Sequence, residues 1–355
     1  MNLLLKYLLL PFSLIFGLIT YFRNKFYDWK LIRSEAFDIP VICIGNLSMG
    51  GTGKSPVTEY LIRLLQKTDK RIATLSRGYG RKSKGFVRAD INATATTIGD
   101  EPLQFFTKFK EVTVAVCEDR VKGIQILLDQ KPSPEIILLD DAYQHRHVKP
   151  GLSVLLTDYN HLYSHDCMFP SGRLRELRLG AGRADIIIVT KSPENISENK
   201  KAEITHDLKP GSYQKIFFSH IKYLEPVPCF KNSEKIITSD LRDYKILLFT
   251  GIARPAALTE YLQNRCKELY IIKFSDHHSY SAKDIKDISE KFCNIASQYK
   301  VILTTEKDFS RLIHQDFFNE LSVFPMYYIP IEMDFPENDK RIFEKNILSY
   351  VEKNQ

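Results

Sequence analysis

The chain has little of what staples small secreted folds together. Its six cysteines (Cys43, Cys117, Cys167, Cys229, Cys266 and Cys293) are scattered through 355 residues, with no C-x-x-C pair and no regular spacing. That argues against a disulfide scaffold or a structural zinc site and for reduced, cytosolic thiols. No internal repeat and no low-complexity tract is present, which leaves ordinary globular domains. Neither sign of charge dominates: 50 Lys and Arg against 43 Asp and Glu leave a formal net charge of +7. This modest bias suits an anionic substrate or an anionic membrane surface, and we predict no nucleic-acid partner and no obligate protein partner.

Long apolar runs are also missing, with one exception. Residues 3–22, LLLKYLLLPFSLIFGLITYF, are strongly apolar, and Arg23, Lys25, Lys30 and Arg33 follow. A cleaved signal peptide fits poorly, because Lys6 interrupts the run, no small-residue cleavage site follows and the positive charge lies on the wrong side. Three readings stay open: a single membrane span kept cytoplasmic by its trailing basic residues, a hairpin or interfacial helix broken near Pro11, or a core helix of a soluble domain.

What the chain does have is IPVICIGNLSMGGTGKS at 39–55, an apolar run that breaks into a Gly-rich turn ending in Lys54-Ser55. The pattern predicts a strand, a tight loop and a helix N-terminus, where inward N–H groups and the helix dipole hold a polyphosphate. Ser48 stands where the strict G-x-x-x-x-G-K-[ST] pattern has glycine, so Ser48, Met49, Gly50, Gly51, Thr52, Gly53, Lys54 and Ser55 form a variant loop. Lys54 would reach the outer phosphates and the Ser55 hydroxyl would ligate Mg²⁺.

Further apolar runs of strand length at 72–76, 112–116, 135–140, 153–157 and 185–190 alternate with helical stretches. This predicts an α/β fold with a mostly parallel sheet buried on both faces. Polarity rises over 192–212, and a second α/β pattern follows it. The expected organisation is an N-terminal helical segment (1–30), a phosphate-loop domain (31–215), a two-stranded linker (216–228 with 322–333), a second α/β domain (229–321) and a C-terminal helix packing on the first domain (334–355).

The strand IILLDD ends in Asp140 and Asp141. In a phosphate-loop fold such an acid holds Mg²⁺, although paired Asp can also cap a helix. Gln144 and His145 follow and could orient water, phosphate or metal. Zinc on His145 and His147 lacks a third ligand at suitable spacing. Asp100 and Glu101 of GDEP stand at a helix start, as caps or as a base near the γ-phosphate; spacing alone does not rank the two. Arg77, Arg81, Arg120, Arg173 and Arg175 suit bidentate phosphate capture, or are solvated surface charges. FSDHHSY places Asp276, His277 and His278 after a strand, where a catalytic or a structural role is open. IIIVTKSP lacks the acid that a guanine-reading T-K-x-D element needs, since Pro193 stands there, which favours ATP over GTP.

Taken in order, GNLSMGGTGKSP, SRGYGR, GDEP, LDDAYQHR, GRLRE and FSDHHSY resemble the tetraacyldisaccharide 4′-kinase family, the lipid A 4′-kinases. The resemblance implies two α/β/α domains, the first P-loop NTPase-like, joined by a two-stranded linker. It also implies transfer of the ATP γ-phosphate, with Mg²⁺, to the 4′-hydroxyl of tetraacyldisaccharide 1-phosphate at the cytosolic face of the inner membrane. Carried over, Lys54 and Ser55 match the phosphate loop, Asp140 and Asp141 the Mg²⁺-associated acids, Asp100 the catalytic base and His277 its partner, with His278 the alternative. Glu101, Arg120, His145, Arg175 and Glu176 fall in family motifs with supporting roles. The competing expectations are a membrane-associated NTPase switch and a soluble sugar or nucleoside kinase.

Overall fold

Val/Ile/Leu runs without polar interruption become strands buried on both faces. In the computed structural model, which describes residues 3–230, 241–252, 255–276, 278–313 and 315–354, β1 (Val41–Asn46) sits inside an eight-stranded sheet. The others are β2 (Ile72–Ser76), β3 (Val87–Arg88), β4 (Thr113–Val116), β5 (Ile136–Asp140), β6 (Leu152–Asp158), β7 (Ile186–Thr190) and β8 (Lys215–Phe218). Their order is β3-β4-β2-β5-β1-β6-β7-β8, parallel throughout except β3 against β4. Helices α1 (Leu3–Asp28), α2 (Lys54–Gln66), α3 (Ala95–Ile98), α4 (Asp100–Lys108), α5 (Arg120–Leu128) and α6 (Glu198–Leu208) accompany it. Alternation along β1 serves both layers: Ile42 and Ile44 pack with Val57, Leu61 and Leu65 of α2. Val41 and Cys43 pack with Ile124 and Leu127 of α5.

The register sets Ile44 of β1 beside Asp140 of β5, so the phosphate loop and the acidic strand end emerge side by side. Gly45 is required there. A Cβ at this position would stand 2.6 Å from Tyr143 Cβ, so glycine lets the segment after β5 cross close over β1.

The chain divides into two compact units, Met1–Ile221 with Met333–Gln355, and Lys222–Glu332. It passes between them at β9 (His220–Tyr223), continues through β10 (Val227–Pro228), β11 (Lys245–Thr250), α7 (Ala256–Gln263), β12 (Glu268–Lys273), α8 (Ala282–Cys293), β13 (Lys300–Thr305), α9 (Glu306–Leu312) and β14 (Met326–Ile329), and returns at β15 (Ile331–Asp334) into α10 (Glu337–Lys353). The second unit's sheet runs β10-β14-β13-β11-β12, and β9 pairs with β15 in a separate two-stranded sheet.

That pairing is narrower than the linker expected at 216–228 and 322–333. Residues 215–218 are β8 of the main sheet, because Phe217 is buried against Phe335 and Phe343 of the returning chain. Residues 326–329 are β14, inside the second sheet.

The expected break near Pro11 is absent: α1 is one helix of 26 residues. Pro11 costs the helix a hydrogen bond, but it lies on the exposed face. The helix is long and apolar enough to cross a membrane, and only 17% of its apolar window is buried, unlike a core helix. Its inner line is small and polar: Ser13, Gly17 and Thr20 face unit 1, and Ser13 Oγ donates to Ser171 Oγ (2.9 Å). The large apolar residues face outward, with Leu14, Leu18 and Ile19 each more than half exposed (63%, 58% and 61%).

Candidate active site

The loop between β1 and α2 is held from below. Asn46 Nδ2 donates to Thr52 Oγ1 (2.6 Å), Thr190 Oγ1 donates to the Thr52 carbonyl (2.7 Å), and Lys191 Nζ donates to the Gly51 carbonyl while paired with buried Asp158 (3.0 Å). No side chain caps α2: its N-cap is Gly53, so the first-turn N–H groups remain available to an anion.

Around that helix start, charge converges. Lys54 Nζ lies 3.6 Å from Asp141 Oδ1, and Arg175 Nη1 reaches both Asp141 oxygens (2.9 and 3.2 Å). Asp141 itself has φ +48°, a strained backbone for a non-glycine residue. Burial pushes its carboxyl up, but Lys54 and Arg175 outweigh burial and hold it below the ordinary range. Asp140 behaves oppositely. It is buried and accepts from Thr58 Oγ1 (3.2 Å). Burial, reinforced by Glu101 and Asp141, pushes its carboxyl up to about 7.

Glu101, in the first turn of α4, accepts from Ser55 Oγ at 3.0 Å. Gly99 lets this turn lie against the SRGYGR loop: its φ is +94°, and a Cβ there would be 2.9 Å from the Tyr79 carbonyl. Asp100 is thereby set at the start of the same helix, and Arg77 just beyond β2. Arg120 is buried beneath Asp141, donating to the Glu118 carbonyl (2.8 Å) and, more weakly, to the Asp141 carbonyl (3.4 Å); burial pulls its pKa down. The Arg120 N–H donates to His145 Nε2 (3.3 Å), and burial, with Arg120 and His147 nearby, pulls the imidazole down to about 4, so it is neutral at pH 7.

The chemistry suits a hard cation. Glu101, Asp140 and Asp141 bring carboxylate oxygens to one place, and Ser55 and Thr58 add hydroxyl oxygens. Among the described residues no three His, Cys, Asp or Glu side chains form a ready cage. Mg²⁺ needs none, since it binds through one or two carboxylates and completes its shell with water and phosphate.

The family model for tetraacyldisaccharide-1-P 4′-kinase matches residues 5–352. The chain belongs to this family. It is 47% identical to the tetraacyldisaccharide 4′-kinase of Bacteroides thetaiotaomicron, over 98% of this chain and 93% of that one. It is 48% identical to that of Flavobacterium johnsoniae, over 100% and 99%. Among solved structures, LpxK from Aquifex aeolicus in complex with ATP superposes with a TM-score of 0.74 at 27% identity, covering 98% of this chain and 99% of that chain.

Within this kinase fold, the sequence-expected residues separate. Lys54 and Arg175 meet on Asp141, Ser55 meets Glu101, and Asp140 feels the charges of Glu101, Asp141 and Lys54, with Arg120 and His145 beneath them. Glu176 is fully buried and touches Asn24, Gln144 and Arg183, which leaves no face for a substrate. Arg81 is paired with Glu118 (2.6 Å) and Arg173 with Asp166 (3.0 Å). In the second unit His278 bonds Asp284 of the α8 capping box (3.1 Å) and stacks on Phe274. His277 lies outside the described residues. Sequence reasoning missed Asn24, Asn46, Thr190 and Lys191. Lys191 carries a signal, the T-K pair after an apolar strand, although its partners here are the Gly51 carbonyl and Asp158.

Proposed function

We propose that this chain transfers the γ-phosphate of ATP to the 4′-hydroxyl of tetraacyldisaccharide 1-phosphate, giving lipid IV(A) in lipid A biosynthesis. The observation that carries it is the meeting of a phosphate-loop Lys54 and Ser55 with the acids of β5 and α4, in a chain matched to this kinase family over nearly its whole length. Loop 48–55 and the α2 N-terminus hold the β- and γ-phosphates, with Lys54 exchanging Asp141 for phosphate oxygens. Ser55, Asp140 and Asp141 would hold Mg²⁺, which when bound neutralises charge on the phosphate oxygens. Asp100 takes the proton of the sugar hydroxyl, and the family resemblance gives His277 a supporting role. His278 hydrogen-bonds Asp284 of the α8 cap, so the supporting role stays with His277. Arg175 keeps Asp141 ionised, and Arg77 is left to face incoming phosphate.

For the membrane, the docked α1 favours the interfacial reading. A spanning helix would leave the protein, whereas α1 is tied to unit 1 from Ser13 to Asp28. We propose that its outward apolar residues enter the cytosolic leaflet of the inner membrane, with Lys25, Lys30 and Arg33 near the lipid headgroups.

The test is transfer of label from γ-labelled ATP to tetraacyl disaccharide 1-phosphate in detergent. Wild type should label the lipid, and Lys54→Ala should lose at least roughly a thousandfold in turnover with its fold intact. ATP hydrolysis by wild type without labelled lipid would replace the kinase by an NTPase switch.

A further inference from the structure

The membrane-facing helix also reaches the catalytic motif. Glu176 is buried without solvent contact, and three side chains satisfy its carboxylate: Asn24 Nδ2 at 2.7 Å, Gln144 Nε2 at 3.0 Å and Arg183 Nη2 at 2.8 Å. Gln144 Nε2 also donates to the carbonyl of Asn46 (2.8 Å), whose own side chain holds Thr52 of the phosphate loop. The neighbour of Glu176, Arg175, grips Asp141. A second clasp runs in parallel. Arg146 donates to the carbonyl of Asn24 (2.7 Å) and to Asp28 (2.8 Å), and its guanidinium lies over the Tyr27 ring. There its positive charge opposes the negative end of the α1 dipole. Arg23 in turn donates to the carbonyl of Gln144 (3.3 Å) and, weakly, to Asn24 Oδ1 (3.4 Å), which fixes the orientation of the Asn24 amide.

We propose that the last two turns of α1 are part of the catalytic scaffold, with Asn24 as a positioning residue that holds Glu176, and through it Gln144 and the segment after Asp141, in working register. The proposal rests on the kinase reading but not on membrane insertion. A neutral amide suits the position: it donates to a buried carboxylate already paired with Arg183 and adds no further charge to it.

Asn24→Ala, assayed on detergent-dispersed tetraacyl disaccharide 1-phosphate, should lose roughly tenfold in kcat, the effect of one charge-assisted hydrogen bond, with the lipid KM and binding to anionic vesicles retained. Asn24→Asp, which sets two carboxylates face to face, should lose more. Adding Glu176→Gln to it restores a donor–acceptor pair and should recover activity, a reciprocal rescue that general loosening of the helix would not give. Wild-type kcat in Asn24→Ala, a loss confined to vesicle-borne substrate, or no recovery in the Asn24→Asp/Glu176→Gln double variant would each overturn the proposal. If Asn24→Ala does not fold, the double variant alone decides. No transfer by wild type would instead overturn the kinase reading itself.

Discussion

Two carboxylates, one in each unit, occupy matching places at the C-terminal ends of parallel sheets and live very differently. Asp308, at the start of α9 after β13, is fully buried and well supplied with donors: Thr250 Oγ1 (3.0 Å), the Gly251 N–H (3.1 Å), Thr305 Oγ1 (2.6 Å) and Arg311 (3.4 Å). Asp140, at the end of β5, is buried too, but among the described residues it accepts one side-chain hydrogen bond, from Thr58, and faces Lys54 together with two carboxylate neighbours. A buried charge with all its partners holds a fold together; a buried charge short of them is balanced by something the protein binds. The acid of the second unit is thus part of its structure, whereas Asp140 is one of the acids proposed above for Mg²⁺.

The comparison breaks most sharply under the same substitution at both places. Asp140→Asn should cut phosphate transfer at least roughly a hundredfold while leaving the melting temperature equal or higher, since it removes a poorly compensated charge. Asp308→Asn should lower stability by about 2–4 kcal/mol in denaturant melts, because it disrupts a satisfied network. Its remaining folded fraction should still bind ATP. Loss of stability in the first variant, or none in the second, would erase the distinction.

Proton linkage sharpens it further. The Asp140 carboxyl is raised to about 7 in the fold, so without Mg²⁺ its contribution to stability is full near pH 4 and is lost as pH rises towards 7. His145, pulled down to about 4, slopes the other way: its contribution is full above about 6.5 and is lost as pH falls towards 4. Metal-free melts across pH 4 to 7 should show these slopes opposing each other. Asp140→Asn should leave stability rising with pH, and His145→Gln should leave it falling. Added Mg²⁺ with ATP should stabilise wild type more than Asp140→Asn.

The smallest effect is expected at His278. Its bond to Asp284 and its stacking on Phe274 mark a local support for α8, so His278→Ala should cost about 1 kcal/mol in stability and under roughly threefold in kcat. A hundredfold loss of kcat would move the catalytic role from His277 to His278.

Much of the first unit was legible because its signals are local. The apolar strand, the glycines and Lys54-Ser55 lie within one short stretch, and IILLDD announces a strand end without help from elsewhere. What escaped depends on distant partners. The motif marks Glu176 as supporting, but its partners Asn24 and Gln144 lie far from it in the sequence. KIFF at 215–218 looked like a connector because Phe217 gains its burial from Phe335 and Phe343, over a hundred residues on. The apolar run at 3–22 hid its docking face because Ser13, Gly17 and Thr20 are inconspicuous among leucines. His277 and His278 are adjacent, and only the contacts of His278 distinguish them.

The position of β1 carries one more consequence. Flanked by β5 and β6 and buried on both faces, its backbone amides should be among the last in the molecule to exchange with deuterium, long after those of the two-residue edge strand β3. The segment that grips nucleotide is thus moored to the slowest-breathing part of the protein, and fraying at the margins of the sheet can proceed without loosening that grip.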